Sequence, residues 1–193
     1  MILNSAKKAA FRLANKGYIP LDDIDFITYG FFVVLSKFIY GAICVISGLV
    51  FNRFVESIVF YISFLFVRKY AGGFHASSEK RCFIYSFFSI ISANFCIYLA
   101  SMVIKFEYFI IVTSVLSAVL IVLNTPILSQ EKDLTYNEMK IYAKYSKIRT
   151  ILMMFIICVL HIANLTKIAI AIGTAMNLEG GLVMIGKIKN SSQ

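Results

Sequence analysis

The sequence predicts an all-α integral membrane protein, built as a single polytopic domain over residues 1–193. Of its 193 residues 60% are hydrophobic, whereas soluble domains are usually nearer half apolar. Its apolar runs approach the length that a helix needs to cross a bilayer. Basic residues cluster between alternate runs, as they do in polytopic membrane proteins. The first run, from Phe26, is too long for the hydrophobic part of a signal peptide, so we expect no cleavable signal.

About six transmembrane helices are predicted from the apolar runs. The candidate spans are roughly 27–51, 54–67, 82–104, 108–128, 151–165 and 167–185. The second run is short and contains Glu56, and the sixth contains Asn177 and Glu179. A four-span arrangement, with these two runs lying in the interface, stays open. We favour six because the charges alternate at every turn.

The positions of the basic residues predict the orientation. If the N-terminus is cytoplasmic, the outside turns carry only Arg53, Lys105 and Lys167, and Lys37 lies within the first span. The other lysines and arginines all fall on the inside, as the positive-inside rule requires. We therefore expect a multi-pass protein of the cell membrane with both termini cytoplasmic. The basic residues behind the net charge of +9 are then expected to set the membrane orientation and to contact anionic lipid. Nucleic-acid binding is not expected.

Residues 2–17 are predicted to form an amphipathic helix within a cytoplasmic segment, residues 1–25. On a helical wheel one arc is apolar: Ile2, Leu3, Ala6, Ala9, Ala10, Leu13 and Ala14. The other arc is polar and basic: Lys7, Lys8, Arg12, Asn15 and Lys16. Such a helix suits the interface of an anionic membrane, although it would also suit a partner helix.

One short basic segment, residues 68–82, is predicted to be a catalytic cytoplasmic loop. It contains Gly72, Gly73, His75 and Cys82. A thiol nucleophile needs a nearby base, and imidazole suits that task near neutral pH. The glycine pair allows positive φ just before the histidine. Seven helical residues are two turns, about 11 Å of axis, so a bend is needed to bring His75 and Cys82 together.

The same residues also have plainer interpretations. His75 can be a solvated loop histidine, and Cys82 can simply begin a span. The three other cysteines lie in apolar runs, where a free cysteine usually acts as a small hydrophobe: Cys44, Cys96 and Cys158. Metal binding is disfavoured because His75, Cys82 and Glu79 do not complete a tetrahedral ligand set. No cofactor is expected.

Residues 129–150 are predicted to form a second cytoplasmic loop, mixed in charge and helical from Tyr136. A solvated connector is one interpretation of this loop. The other is a segment that contacts substrate beside the first loop.

The segment from Arg68 to His75, followed by Cys82, resembles the signature of the accessory gene regulator B family. These are membrane cysteine endopeptidases of Gram-positive quorum sensing. The length, the basic N-terminus and the multiple spans agree with that family. The resemblance implies that His75 and Cys82 are catalytic and that Arg68 and Gly73 match the family's arginine and glycine. Gly72, Ser78 and Glu79 are expected to support the site, the last two by orienting the imidazole.

The resemblance also implies a substrate and a reaction. The substrate is a short propeptide with an amphipathic leader, an internal cysteine and an acidic tail. Its tail is removed through an acyl-enzyme thioester, and the propeptide then closes into a thiolactone, or a lactone if serine replaces its cysteine. A homodimer is expected. Four basic residues are expected to attract the acidic tail: Lys80, Arg81, Lys132 and Lys140.

Two other classes of function stay open at this point. A peptide transporter or exporter without proteolytic chemistry is favoured by Lys37, Glu56 and Glu179, which lie in or beside spans where charge is costly. Replacing Cys82 would leave such a protein functional. A membrane adaptor that docks through residues 1–17 is the third class. Deleting that helix would abolish its function, while substitutions in the loop would not.

Overall fold

A computed structural model describes residues 2–18, 20–74, 78–127 and 135–191 of the chain. In these ranges the regular structure is helical, with no strand. A 3₁₀ turn covers Leu21–Asp23, and the seven α-helices are α1 Ile2–Asn15, α2 Ile24–Val50, α3 Phe54–Ala71, α4 Glu79–Met102, α5 Ile104–Asn124, α6 Tyr136–Ile162 and α7 Thr166–Ser191. The chain divides into two compact units, residues 1–43 and 44–193. The all-α prediction is confirmed.

Within the described ranges, five helices are long and apolar enough to cross a membrane: α2, α4, α5, α6 and α7. Helix α3 is not among them because its 18 residues include Glu56, Arg68 and Lys69. The chain is therefore a multi-pass membrane protein. The apolar runs located these helices well, since a span must be apolar along its whole length.

In the first unit, α1 confirms the helix that the amphipathic pattern predicts. Ala6 and Ala10 of its apolar arc are buried, whereas Lys7, Lys8 and Arg12 are exposed. A basic, exposed face of this kind is typical of helices that lie along anionic membranes.

Helix α7 is the centre of the second unit. In its most apolar stretch 61% of the helix is buried inside the protein, against 28% or less in the other four candidate spans. It packs against α3, α4, α5 and α6. Gly173 and Gly180 face α5, and a Cβ at Gly180 would lie 2.7 Å from the Cβ of Ser117. The small residues Gly173 and Gly180 thus allow α7 to pack closely against α5.

Polar contacts also join α7 to α5. Asn177 donates from its amide nitrogen to the carbonyl oxygen of Ile110 at 3.2 Å and to Thr113 Oγ1 at 2.9 Å. Its amide oxygen accepts from Ser117 Oγ at 2.9 Å. These bonds satisfy the amide of Asn177, so a partly buried polar side chain is tolerated in this apolar helix.

A neutral polar group, the Asn94 cluster, joins α2, α3 and α4 in the same unit. It consists of Cys44, Ser47, Ser57 and Asn94. Asn94 is fully buried and donates to Ser47 Oγ at 2.8 Å and to the carbonyl of Ile90 at 3.2 Å. Its amide oxygen accepts from the Ser57 hydroxyl. Bonds of this kind hold helices together in the absence of a hydrophobic driving force.

The two predicted cytoplasmic loops are shorter in the structure. Helix α3 continues through Ala71 and α4 begins at Glu79, so residues 72–78 connect them instead of 68–82. The helix that we expected from Tyr136 is confirmed. It begins with a capping box in which Thr135 and Glu138 bond each other's main-chain amides. Because α6 covers Tyr136–Ile162, the apolar run 151–165 marks only its second half.

Candidate functional site

A sharp turn ends α3 directly before His75. We call its residues Gly72, Gly73 and Phe74 the glycine turn. Gly72 has φ of 73° and Gly73 has φ of 117°, conformations that side chains with a Cβ rarely adopt. The amide of Gly72 still bonds the carbonyl of Arg68 at 3.3 Å. The positive φ expected for the glycine pair is therefore confirmed.

The segment after α5 holds one side of the glycine turn. Ile127 donates its amide to the carbonyl of Ala71 at 2.9 Å, and its carbonyl accepts from the amide of Gly73 at 3.2 Å. A Cβ on Gly72 would collide with the carbonyl oxygen of Ile127. The turn is thus bonded through its main chain to a segment that is distant in the sequence.

Helix α7 holds the other side. The amide of Phe74 donates to the carbonyl of Leu182 at 2.9 Å. At Gly186, one turn further along α7, a Cβ would lie 2.8 Å from the nitrogen of Phe74 and 2.9 Å from the carbonyl carbon of Gly73. The turn can approach the helix this closely because Gly186 has no side chain.

Arg68 connects the turn to a buried carboxylate. Its Nη2 donates to the carbonyl of Phe74 at 2.7 Å, and its Nη1 donates to the carbonyl of Gly72. The same Nη1 lies 3.5 Å from Glu179 Oε1 of α7. The Arg68 side chain is 19% exposed and that of Glu179 is fully buried. Arg68, expected to support the site, therefore acts on the main chain of the glycine turn.

Aromatic side chains and a second arginine fix the last turn of α3 to α6. The guanidinium carbon of Arg149 lies 4.2 Å from the ring centroids of both Phe66 and Tyr70. Its Nη1 donates to the carbonyl of Phe66 at 2.6 Å. Tyr70 also packs against Tyr142 and Tyr145, with ring centroids 5.3 and 5.2 Å apart. Arg149 keeps its charge within the protein by stacking on these rings.

Cys82 lies in the first turn of α4, with its side chain partly exposed. Its amide donates to the carbonyl of Ser78 at 2.9 Å. Ser78 caps the helix, since its hydroxyl accepts from the amide of Arg81 at 3.3 Å. One turn beyond Cys82, the ring of Tyr85 packs against Phe74 with centroids 5.9 Å apart. This contact connects the glycine turn to the helix that carries Cys82.

Two predicted site residues, His75 and Lys132, lie outside the described residues. Lys80, Arg81 and Lys140 are exposed, and Lys140 Nζ lies 4.4 Å from the ring centroid of Tyr136. Glu79 is half-buried in the first turn of α4. Orientation of the imidazole by Ser78 or Glu79 stays a prediction.

Sequence reasoning missed the contribution of α7 to this site. Glu179 was recognised as a charge in a span, but its pairing with Arg68 was not predicted. Leu182 and Gly186 were not identified at all. One signal was present in the sequence: Glu179 and Gly186 are seven residues apart, two helical turns, and so lie on one face of α7.

The comparisons with known proteins agree with these observations. The family model described as AgrB, Accessory gene regulator B, matches residues 6–181. AgrB-like protein 2 of Clostridium perfringens (strain 13 / Type A) is 26% identical to this chain over 125 residues. That alignment covers 58% of this chain and 58% of the relative, so the chain spans little more than half of its length. No solved structure shows significant similarity. The chain therefore belongs to the Accessory gene regulator B family, whose members take part in the processing of quorum-sensing peptides.

Proposed function

We propose that this chain is a membrane cysteine endopeptidase that removes the C-terminal tail of a quorum-sensing propeptide and permits its cyclisation. One observation carries the proposal. The main chain directly before His75 is held by Arg68, Ile127 and α7, and Phe74 packs against Tyr85, one turn from Cys82. Rigid placement of the reacting groups is what a catalytic dyad requires.

The first stage of the reaction forms an acyl-enzyme. His75 accepts the proton of the Cys82 thiol, and the thiolate attacks the carbonyl carbon of the peptide bond before the tail. The carbon–nitrogen bond then breaks. The imidazolium gives its proton to the departing amine, so the tail leaves with a free N-terminus and the leader part remains on Cys82 as a thioester.

The second stage closes the ring. The propeptide's own cysteine loses its proton to His75 and attacks the thioester, and the Cys82 thiolate leaves and regains a proton. One thioester replaces another, so the step is nearly balanced in energy and competition from water must be kept low. A site at the membrane boundary favours this outcome. A serine in the propeptide would give a lactone by the same route.

The charges around the site suit an acidic tail. Lys80, Arg81 and Lys140 are exposed, and exposed cations raise the encounter rate with acidic peptides more than the final affinity. Lys132 is expected to act in the same way. The basic face of α1 is expected to bind anionic lipid and to lie in the interface.

Six spans with both termini cytoplasmic fit this function. The charges of α3 lie in its first and last turns, at Glu56 and at Arg68 and Lys69. Its 18 residues measure about 27 Å, close to the thickness of a bilayer core. With α3 as a span, residues 72–78 and 129–135 share the cytoplasmic side of a Gram-positive cell membrane. A homodimer is part of this proposal.

A peptide exporter without proteolytic chemistry is less well supported. It was favoured by three charges in or beside spans, of which only Glu179 is buried; Lys37 is exposed and Glu56 is half-buried. Glu179 pairs with Arg68 beside the glycine turn. The buried carboxyl group therefore contacts Arg68, a residue of the segment that carries the peptidase signature.

The test is processing of a propeptide encoded beside the gene for this chain. The two are co-expressed, and mass spectrometry follows the intact propeptide, the released tail and the cyclic product. We expect tail and ring from the wild type and neither from Cys82→Ala or His75→Ala. Cys96→Ala, a second half-buried cysteine of α4, is the matched control and should process normally.

A propeptide whose cysteine is replaced by alanine tests the intermediate. It cannot close the ring, so we expect the leader part to accumulate on Cys82 as a mass increase that hydroxylamine removes. Normal processing by Cys82→Ala would rule out the peptidase and leave the exporter or adaptor.

A further inference from the structure

The carboxylate of Glu179 lies deep in α7 and is incompletely satisfied. It is 0% exposed, and among the described residues neither of its oxygens accepts a hydrogen bond. The cation beside it is Arg68, whose Nη1 is 3.5 Å from Oε1. An ionised carboxylate inside a membrane protein is costly and usually marks a functional site. Packing alone would be served better by an apolar side chain.

The guanidinium of Arg68 lies between this carboxylate and the glycine turn. On one side it faces Glu179, and on the other it donates to the carbonyls of Gly72 and Phe74. Two neutral carbonyls do not balance a full positive charge in a poorly solvated place. Without the carboxylate, we expect the long arginine side chain to turn towards water or lipid headgroups and to release the two carbonyls.

The same face of α7 contacts the turn at two further positions. Leu182 accepts the amide of Phe74 at 2.9 Å, and Gly186 leaves room for the main chain of Gly73 and Phe74. Glu179 thus belongs to a helix face that shapes the turn along its length. Its contribution is electrostatic, whereas those of Leu182 and Gly186 come from the main chain.

We propose that Glu179 is a positioning residue for the cysteine peptidase reaction: it holds Arg68 in place, and Arg68 holds the main chain that precedes His75. This inference rests on the proposed function. It assigns no contact between Glu179 and the substrate. It explains why a buried carboxylate is present in a helix that otherwise serves as the packing centre of the second unit.

The experiment measures kcat and KM for tail release by the full chain in phosphatidylglycerol-containing vesicles, with the propeptide encoded beside its gene. We expect Glu179→Gln to lower kcat by about 100-fold, the size of effect that a displacement of about 1 Å produces, while KM changes less than about threefold. Glu179→Asp keeps the charge but is shorter, and should lose only about 10-fold.

The matched control is Asn177→Ala on the same helix. Its side chain makes three partly buried hydrogen bonds to α5, and among the described residues it makes none to the glycine turn. The variant therefore loses polar contacts between helices without changing the surroundings of Arg68. We expect lower thermal stability but a kcat within about threefold of the wild type. A merely structural Glu179 would behave like Asn177.

A double substitution tests the route through Arg68. If Glu179 acts through that guanidinium, adding Glu179→Gln to Arg68→Ala should cause no further loss, because groups that act as a unit are not additive. Two independent, multiplying losses would overturn the proposal.

The remaining outcomes separate this inference from the proposed function. Wild-type kcat in Glu179→Gln, with Cys82→Ala inactive, would refute the role of Glu179 and leave the peptidase intact. Normal processing by Cys82→Ala would refute the peptidase itself. If Glu179→Gln does not accumulate in the membrane, the kcat of Glu179→Asp is the test of the proposal. A loss of about 10-fold would support it, and a wild-type kcat would contradict the proposed geometry.

Discussion

The Asn94 cluster and the Arg68–Glu179 pair both bury polar side chains in the second unit, but they satisfy them differently. Asn94 is neutral, and both its amide nitrogen and its amide oxygen are hydrogen-bonded. Glu179 carries an ionisable carboxyl beside Arg68, and within the described part of the chain its oxygens accept no hydrogen bond. The first arrangement joins one helix to another. The second joins a helix to the main chain of a turn.

Because of this difference, we expect the Asn94 cluster to contribute to stability and the Arg68–Glu179 pair to contribute to catalysis. A satisfied neutral cluster gives helix packing, and its loss leaves polar groups unpaired. A charged pair that bonds a turn sets the position of that turn, and its loss displaces the residue that follows. We therefore expect substitutions in the Asn94 cluster to lower stability and substitutions around the glycine turn to lower kcat.

Outside the proposed catalytic pair His75 and Cys82, the largest effect is expected from Gly73→Ala. Gly73 has φ of 117°, and a Cβ there would collide with Arg68 Nη1. The variant should therefore lose both the backbone conformation and the arginine contact, and tail release should fall by about 100-fold or more. The measurement is the initial rate of tail release at equal amounts of protein in the membrane.

Gly17→Ala is the control for that prediction. Gly17 also has a positive φ, 74°, but a Cβ there meets nothing within 4 Å. The contact is absent, and a φ of 74° lies closer to the left-handed helical region than 117° does, so the rate should stay within about twofold of the wild type. If both variants lose activity equally, the collision with Arg68 does not explain the loss in Gly73→Ala.

A smaller effect is expected from Gly186→Ala. Its Cβ would lie 2.8 Å from the nitrogen of Phe74, so α7 and the glycine turn must separate by a few tenths of an ångström. We expect kcat for tail release to fall by about 10-fold, because small displacements of reacting groups are costly. Gly181→Ala, on the same helix with nothing within 4 Å, should match the wild type. Equal rates for the two variants would show that α7 does not shape the turn.

Asn94→Ala tests the other side of the comparison. It removes the partner of the Ser57 and Ser47 hydroxyls, which should lower the free energy of unfolding by about 1–2 kcal/mol. The kcat for tail release should stay within about twofold of the wild type. Denaturant unfolding in detergent gives the first quantity and vesicle assays the second. A large loss of kcat without loss of stability would contradict the division between the two clusters.

Much of the fold could be predicted from the sequence, for a physical reason. A membrane span is apolar along its length, so the run 27–51 found α2, and the run 82–104 found α4 except for its first turn. Polar first turns are harder to predict. The first half of α6 is charged, so the apolar run marked only the second half, and the helix from Tyr136 was predicted within a loop and not as part of a span.

The candidate site was predictable only in part. His75 and Cys82 are close in the sequence, and so are Arg68 and the glycines, which made the segment recognisable. Glu179 is far away in the chain, and one sequence contains no information on which cation it meets. In the sequence, Glu179 is a charge within an apolar run. Such a charge is as consistent with a transport path as with a role beside the glycine turn.

The smallest effect is expected from Cys44→Ser. The thiol of Cys44 donates to the carbonyl of Ser57 at 3.3 Å, and a serine hydroxyl can make that bond, so stability should change by less than about 1 kcal/mol. Tail release should be unchanged. The same substitution at Cys82 should abolish it, because a hydroxyl beside one histidine is a far weaker nucleophile than a thiolate. The two variants differ only in which sulfur is replaced by oxygen. If Cys44→Ser also stopped tail release, the Asn94 cluster would be coupled to the reaction, and its hydrogen bonds would need a role beyond holding α2, α3 and α4 together.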